Sequence, residues 1–147
     1  EGWEPFSTVH VTRLIQPEGE PGTPTVTPQS SFPAQQITGW QVTHDYPGYA
    51  EAQEPPMDLN LSVDDWDAIE AETGQEVPLP GDKLAGWPAW VQGVEYPHCP
   101  TCGERMALVF QLDSEDHLPY MFGDMGCGHI TQCPTHKDQL GFGWACG

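Results

Sequence analysis

The chain has 147 residues and carries 22 Asp and Glu against 4 Lys and Arg, a formal net charge of -18. That balance excludes a basic nucleic-acid binder, which needs positive charge to neutralise phosphates, and no apolar run approaches the roughly 20 residues of a bilayer span. Six Trp, five Phe and four Tyr in a chain that is 37% hydrophobic argue against full disorder, and Gly and Pro, 16 of each, predict many turns, short strands and little helix.

Thr8 to Ile15 reads as a strand, because its β-branched content is high and Val9, Val11, Arg13 and Ile15 share one face. Five prolines punctuate residues 17 to 34, an irregular loop. A second short strand is expected over Gln36 to Thr43, around Ile37, Trp40 and Val42. Residues 45 to 82 hold eleven of the 22 carboxylates and no Lys or Arg, which reads as a solvated acidic face. Within them lies the one clear helix, about 62–73. Ser62 is its N-cap, Asp65 completes an acidic capping box, Val63, Trp66 and Ile69 mark a buried stripe, and Gly74 is the stop.

Pro78 to Trp90 is turn-rich. From there the character changes to β: Arg105 to Leu112 as a central strand buried on both faces, then Leu118 to Phe122, His129 to Gln132 and Leu140 to Ala145 as shorter ones. The expected fold is therefore α+β and β-rich, with mostly antiparallel sheets, one helix and many Gly/Pro loops. It divides into a Pro-rich acidic part (1–82) and a Cys/His-containing β part (83–147).

All five cysteines lie in the last third. An odd number with no export signal argues against a disulfide scaffold and for a reducing, cytoplasmic setting. Cys99-Pro-Thr-Cys102-Gly103 can aim two thiolates at one tetrahedral ion, and Cys133-Pro-Thr-His136 repeats the spacing. Together they predict a structural zinc clamp of Cys99, Cys102, Cys133 and His136, with Cys127, His129 and Cys146 as competitors for the fourth position. A thioredoxin-like dithiol would need a helix after Cys102, where a strand is expected instead. A catalytic zinc would need an open coordination position, and no His-Glu-x-x-His or His-x-Glu signature is present. Trp87-Pro-Ala-Trp90 is the candidate partner-binding element: aromatics beside an acidic surface suit a basic protein segment. The competing reading is that both rings cover the sheet edge.

Lys83-Leu-Ala-Gly-Trp-Pro-Ala-Trp-Val-Gln92, Cys99-Pro-Thr-Cys102, Leu108-Val-Phe-Gln-Leu-Asp113, Gly123-Asp124 and Gln132-Cys-Pro-Thr-His136, in that order, closely resemble the YwqG-like family of bacterial proteins. Gly39-Trp40 and Asp45-Tyr46-Pro47 extend the likeness upstream. The resemblance implies an antiparallel α+β fold. Longer members carry a related upstream half, so the chain, which starts at Glu1, looks like a C-terminal half. The family is also similar to a domain of eukaryotic programmed cell death protein 2 and its yeast relative, dedicated chaperones for a ribosomal protein. Other bacterial relatives are suggested as immunity proteins. The reading that results is a non-enzymatic acidic binding module, chaperone-like toward a basic protein client. The alternatives are an immunity protein neutralising a toxin, or a zinc-dependent hydrolase using the same Cys/His cluster.

Overall fold

The computed structural model describes residues 2–20, 32 and 35–147. Most of the Pro-rich stretch read as a loop lies outside the described residues. Helix α1 covers Tyr49–Ala52 and helix α2 covers Val63–Thr73. Strands β1 (Lys83–Leu84), β2 (Ala107–Asp113), β3 (Cys127–Gln132) and β4 (Leu140–Ala145) form one antiparallel sheet in the order β1-β2-β3-β4. The fold is thus β-rich α+β. Among the described residues no helix is long and apolar enough to cross a membrane.

Helix α2 forms where its end signals stand. Asp65 N donates to Ser62 Oγ and Ser62 N donates back to Asp65, a complete capping box. Gly74 closes the helix in the left-handed conformation at φ 68°, where a Cβ is costly. The expected stripe is narrower than its spacing suggests. Trp66 is buried and Ile69 half-buried, but Val63 is 57% exposed, because the helix docks only on its Trp66 side against Ala52 and Val77.

The strands at 8–15 and 36–43 do not form. Val9, Val11, Ile15, Ile37 and Val42 stay exposed, Val42 at 97%. Neither segment finds a strand to pair with, and pairing, not propensity, makes a strand. Instead the N-terminal segment is fastened to β4 through Trp144, whose N donates to Trp3 O and whose Nε1 donates to Gly2 O. Leu118–Phe122 is also not a strand. Ser114 Oγ donates to Gly126 O while accepting from Phe122 N, which folds residues 114–126 into a turn held by its own polar groups.

Two buried clusters split along the chain: Ala52, Trp66 and Val77 upstream, and Cys99, Met106 and Cys133 downstream. Polar ties join them. Asp45, in the acidic segment, accepts from Leu79 N, Trp87 N and Lys83 Nζ, the last at 3.0 Å. Tyr96 donates its hydroxyl to Glu51, which is 1% exposed. The acidic stretch is therefore not wholly a solvated face, since Asp45 and Glu51 face inward. Burial raises the Glu51 carboxyl above its usual range, against the opposing pull of Tyr96 and Arg105.

Candidate functional site

Two backbone knuckles meet at one end of the sheet. The first, Cys99–Gly103, precedes β2 and is closed by Gly103 N donating to Cys99 O and Cys99 N donating to Glu104 O. Gly103 takes φ 75°, which only glycine adopts cheaply. The second, 133–139, is the loop between β3 and β4, closed by Cys133 N donating to Gln139 O and Gln139 N donating to His136 O. Antiparallel pairing sets Ala107, at the start of β2, opposite Gln132, at the end of β3, so the sheet register itself brings the knuckles together.

The donor atoms of Cys99, Cys102, Cys133 and His136 all lie within 4.8 Å of one another. Cys102 Sγ is 3.6 Å from Cys133 Sγ, and His136 Nδ1 is 3.9 Å from Cys99 Sγ and 3.8 Å from Cys133 Sγ. Thr101 N points at Cys99 Sγ (3.4 Å) and His136 N at Cys133 Sγ (3.1 Å), the donors that a thiolate requires. Cys99 and Cys133 are buried, His136 is half-buried and Cys102 is exposed. Burial alone would raise the Cys99 thiol. The Cys102 and Thr101 backbone donors and the neighbouring thiols outweigh it and bring it down to about 6. Glu104 laces the knuckles together, accepting from Cys102 Sγ and from Thr135 Oγ1 at 2.6 Å. Three soft thiols and one imidazole, mutually within ligand range, can hold a metal ion.

The competing ligands sit elsewhere. Cys127 Sγ points at Leu112 O, and burial pushes its thiol up to about 12. His129 lies under Trp90, ring centroids 4.6 Å apart. Cys146 is half-buried, and its carbonyl accepts from Gln92 Nε2. The Trp87–Trp90 loop lies over the sheet, sewn down by Gln111, which accepts from Ala89 N and donates to Gly81 O. Trp87 and Trp90 are both half-buried, and Trp90 also packs on Tyr96 at 5.0 Å.

Two features escaped the sequence reading. Asp82, Asp116 and His117 form a second close group, but two of its oxygens already serve turn amides, Asp82 Oδ1 accepting from Asp113 N and Asp116 Oδ2 from Asp82 N. The Glu51–Tyr96–Arg105 group, in which Tyr96 donates to Glu51 and Arg105 lies over the Tyr96 ring at 4.2 Å, left no local signal, since Glu51 is far from the other two in sequence.

A 40-residue stretch, 27% of this chain, is 48% identical to a protein of Salmonella typhimurium named "Uncharacterized protein YpfL". The match spans only 9% of that relative's length. No solved structure matches the chain. Residues 9–136, a range that includes Cys99, Cys102, Cys133 and His136, match the family described as "Domain of unknown function (DUF1963)", the formal name of the YwqG-like family, and the chain belongs to it.

Proposed function

We propose that the protein is a non-enzymatic, acidic binding module for a basic protein segment, its fold clamped by a structural zinc ion on Cys99, Cys102, Cys133 and His136. The observation that carries the zinc reading is the donor geometry. Zn–S of about 2.3 Å and Zn–N of about 2.0–2.1 Å in a tetrahedron require S···S separations of about 3.8 Å and S···N of about 3.6 Å. The observed 3.6 Å between Cys102 and Cys133 and 3.8–3.9 Å from His136 Nδ1 to Cys133 and Cys99 lie within about 0.3 Å of that requirement, and all four donors lie within 4.8 Å of one another. The core argues the same way: Cys99 and Cys133 are two of the three residues in the downstream buried cluster. A domain with so little apolar interior gains from a metal staple.

Four protein donors leave no position for a substrate or a water, which supports a structural role over a hydrolytic one. A net charge of -18 favours a basic client through long-range attraction. The resemblance drawn from the sequence motifs to a dedicated chaperone for a ribosomal protein fits the same reading, and a reducing, cytoplasmic setting, where thiolates persist, is part of the proposal.

The test is native mass spectrometry on protein purified without added metal, followed by capture of a lysine- and arginine-rich peptide across a salt series. The expected result is one bound zinc, with the cluster's three thiols protected until denaturation, and capture that weakens steeply with salt. Metal-free protein with every thiol reactive overturns the clamp. Salt-independent capture overturns the electrostatic docking.

A further inference from the structure

The zinc cluster leaves a second set of buried polar atoms unexplained. His129, in the middle of β3, is 4% exposed, yet its Nε2 has no hydrogen-bond partner. A buried polar atom without a partner is costly and calls for a missing ligand or water. His129 lines a small cavity together with Trp3, Trp90 and Trp144, and the exposed carboxylate residue Glu95 also contributes to its wall.

Three indoles, one bare imidazole nitrogen and one carboxylate around one cavity are groups of the kind that suit a cation. Indole rings attract positive charge through their faces. A neutral imidazole nitrogen and a carboxylate are both acceptors for N–H bonds. Burial is the largest influence on His129 and lowers its imidazole to about 4, so the ring is neutral at physiological pH and does not repel a cation. Size selects among cations. The cavity holds about 20 Å³, room for one water-sized group. A primary ammonium fits that space. A planar guanidinium and a quaternary ammonium are larger than one water-sized group.

We propose that this cavity binds a primary ammonium, the ε-amine of a lysine on the protein partner. The choice of a protein lysine over a free amine rests on the basic-client reading. The ammonium chemistry rests on the cavity alone.

The experiment is NMR of the His129 ring nitrogens in the full chain, titrated with n-butylammonium chloride at constant ionic strength. The expected result is a saturable shift of Nε2 that butylguanidinium and tetramethylammonium do not reproduce. Glu95→Gln, a change at an exposed position, should weaken the titration about tenfold through loss of a charge-assisted bond. A lysine peptide should saturate the same shift, and its Nε-acetylated form should not. An unmoved His129 overturns the proposal and leaves a trapped water as the occupant. A response to butylammonium but not to the lysine peptide overturns the protein-lysine assignment in favour of a free amine. The basic-client reading fails separately, by salt-independent capture, whatever butylammonium does.

Discussion

Residues 8–15 and 140–145 depart from their sequence signals in opposite directions. Thr8–Ile15 is as rich in β-branched residues as any stretch of the chain, yet it forms no strand and leaves Val9, Val11 and Ile15 more than 70% exposed. Leu140–Ala145 contains two glycines and no β-branched residue, and it forms a full strand paired to β3 along its whole length. The difference is not propensity. β4 follows β3 through a closed knuckle that delivers it in register, while the upstream segment arrives with nothing to pair against. Downstream, order comes from closures: two knuckles, a Ser114-centred turn and the Gln111 stitch. Upstream, it comes from one capped helix and a few polar ties to the sheet.

That comparison ranks the ways to break the molecule. The largest effect should come from Cys133→Ser. Structural zinc contributes on the order of 10 kcal/mol in small metal-dependent peptides, comparable with the whole stability of a domain. The variant should bind no metal, and β2, β3 and β4 should lose amide protection together in hydrogen exchange. A cooperative melt at the wild-type temperature would show that the sheet stands without its clamp.

Next comes Asp45→Ala, which cuts the joint between the two parts. Asp45 and Lys83 are only 11% and 13% exposed at their side chains, and the variant leaves the Lys83 ammonium without its partner. Removing one member of such a pair costs about 3 kcal/mol or more. The amides of Leu79 and Trp87 lose their acceptor as well. The expected outcome is a lower melting temperature with the content of the proposed zinc unchanged. Loss of zinc in this variant would mean that the two parts are one cooperative unit.

These variants also mark what could be read from the chain beforehand. Local, periodic or closing signals were legible: the Ser62/Asp65 box, Gly74, the Cys99/Cys102 and Cys133/His136 spacings, and the full extent of β4. Pairing was not. Nothing in residues 36–43 says that Trp40 would rest against Phe110 without forming a ladder. Strand β1, two residues inside a Pro/Gly run, has no sequence signature, and it exists only because Lys83 and Leu84 face Gln111 and Phe110. Glu51 looked like one acid among eleven. Its burial depends on Tyr96, 45 residues away.

Acid should separate the two parts in order. His129 is held at about 4, against 6.5 unperturbed, so the unfolded chain takes up its proton first. Stability is full above pH 6.5 and falls as the pH drops toward 4, by about 3 kcal/mol for a shift of that size. Glu51 works in the opposite sense, since its raised carboxyl regains a proton in the fold and relieves its burial as pH falls. His129→Gln isolates the histidine: its urea midpoint should vary less between pH 6.5 and 4 than that of the wild type. Parallel curves for the two proteins would mean that His129 is not the group that titrates. Asp65 is held below 3.8 by its Ser62 hydrogen bonds, so its contribution persists across this window and is lost only beneath it.

The smallest effect should be Ser62→Ala. The hydroxyl accepts from Asp65 N at 3.2 Å and donates to the Asp65 carboxylate at 2.7 Å, so one atom serves both halves of the box. Loss of an N-cap costs about 1 kcal/mol. Because α2 meets the rest of the molecule chiefly through Trp66, the loss should appear as fraying of its first turn, seen as faster exchange at the Asp64 and Asp65 amides. Zinc content and the β3–β4 amides should not change. If sheet protection fell by the same amount as helix protection, the helix and the sheet would fold as one unit, and the contrast between a locally ordered upstream part and a closure-ordered downstream part would have to be given up.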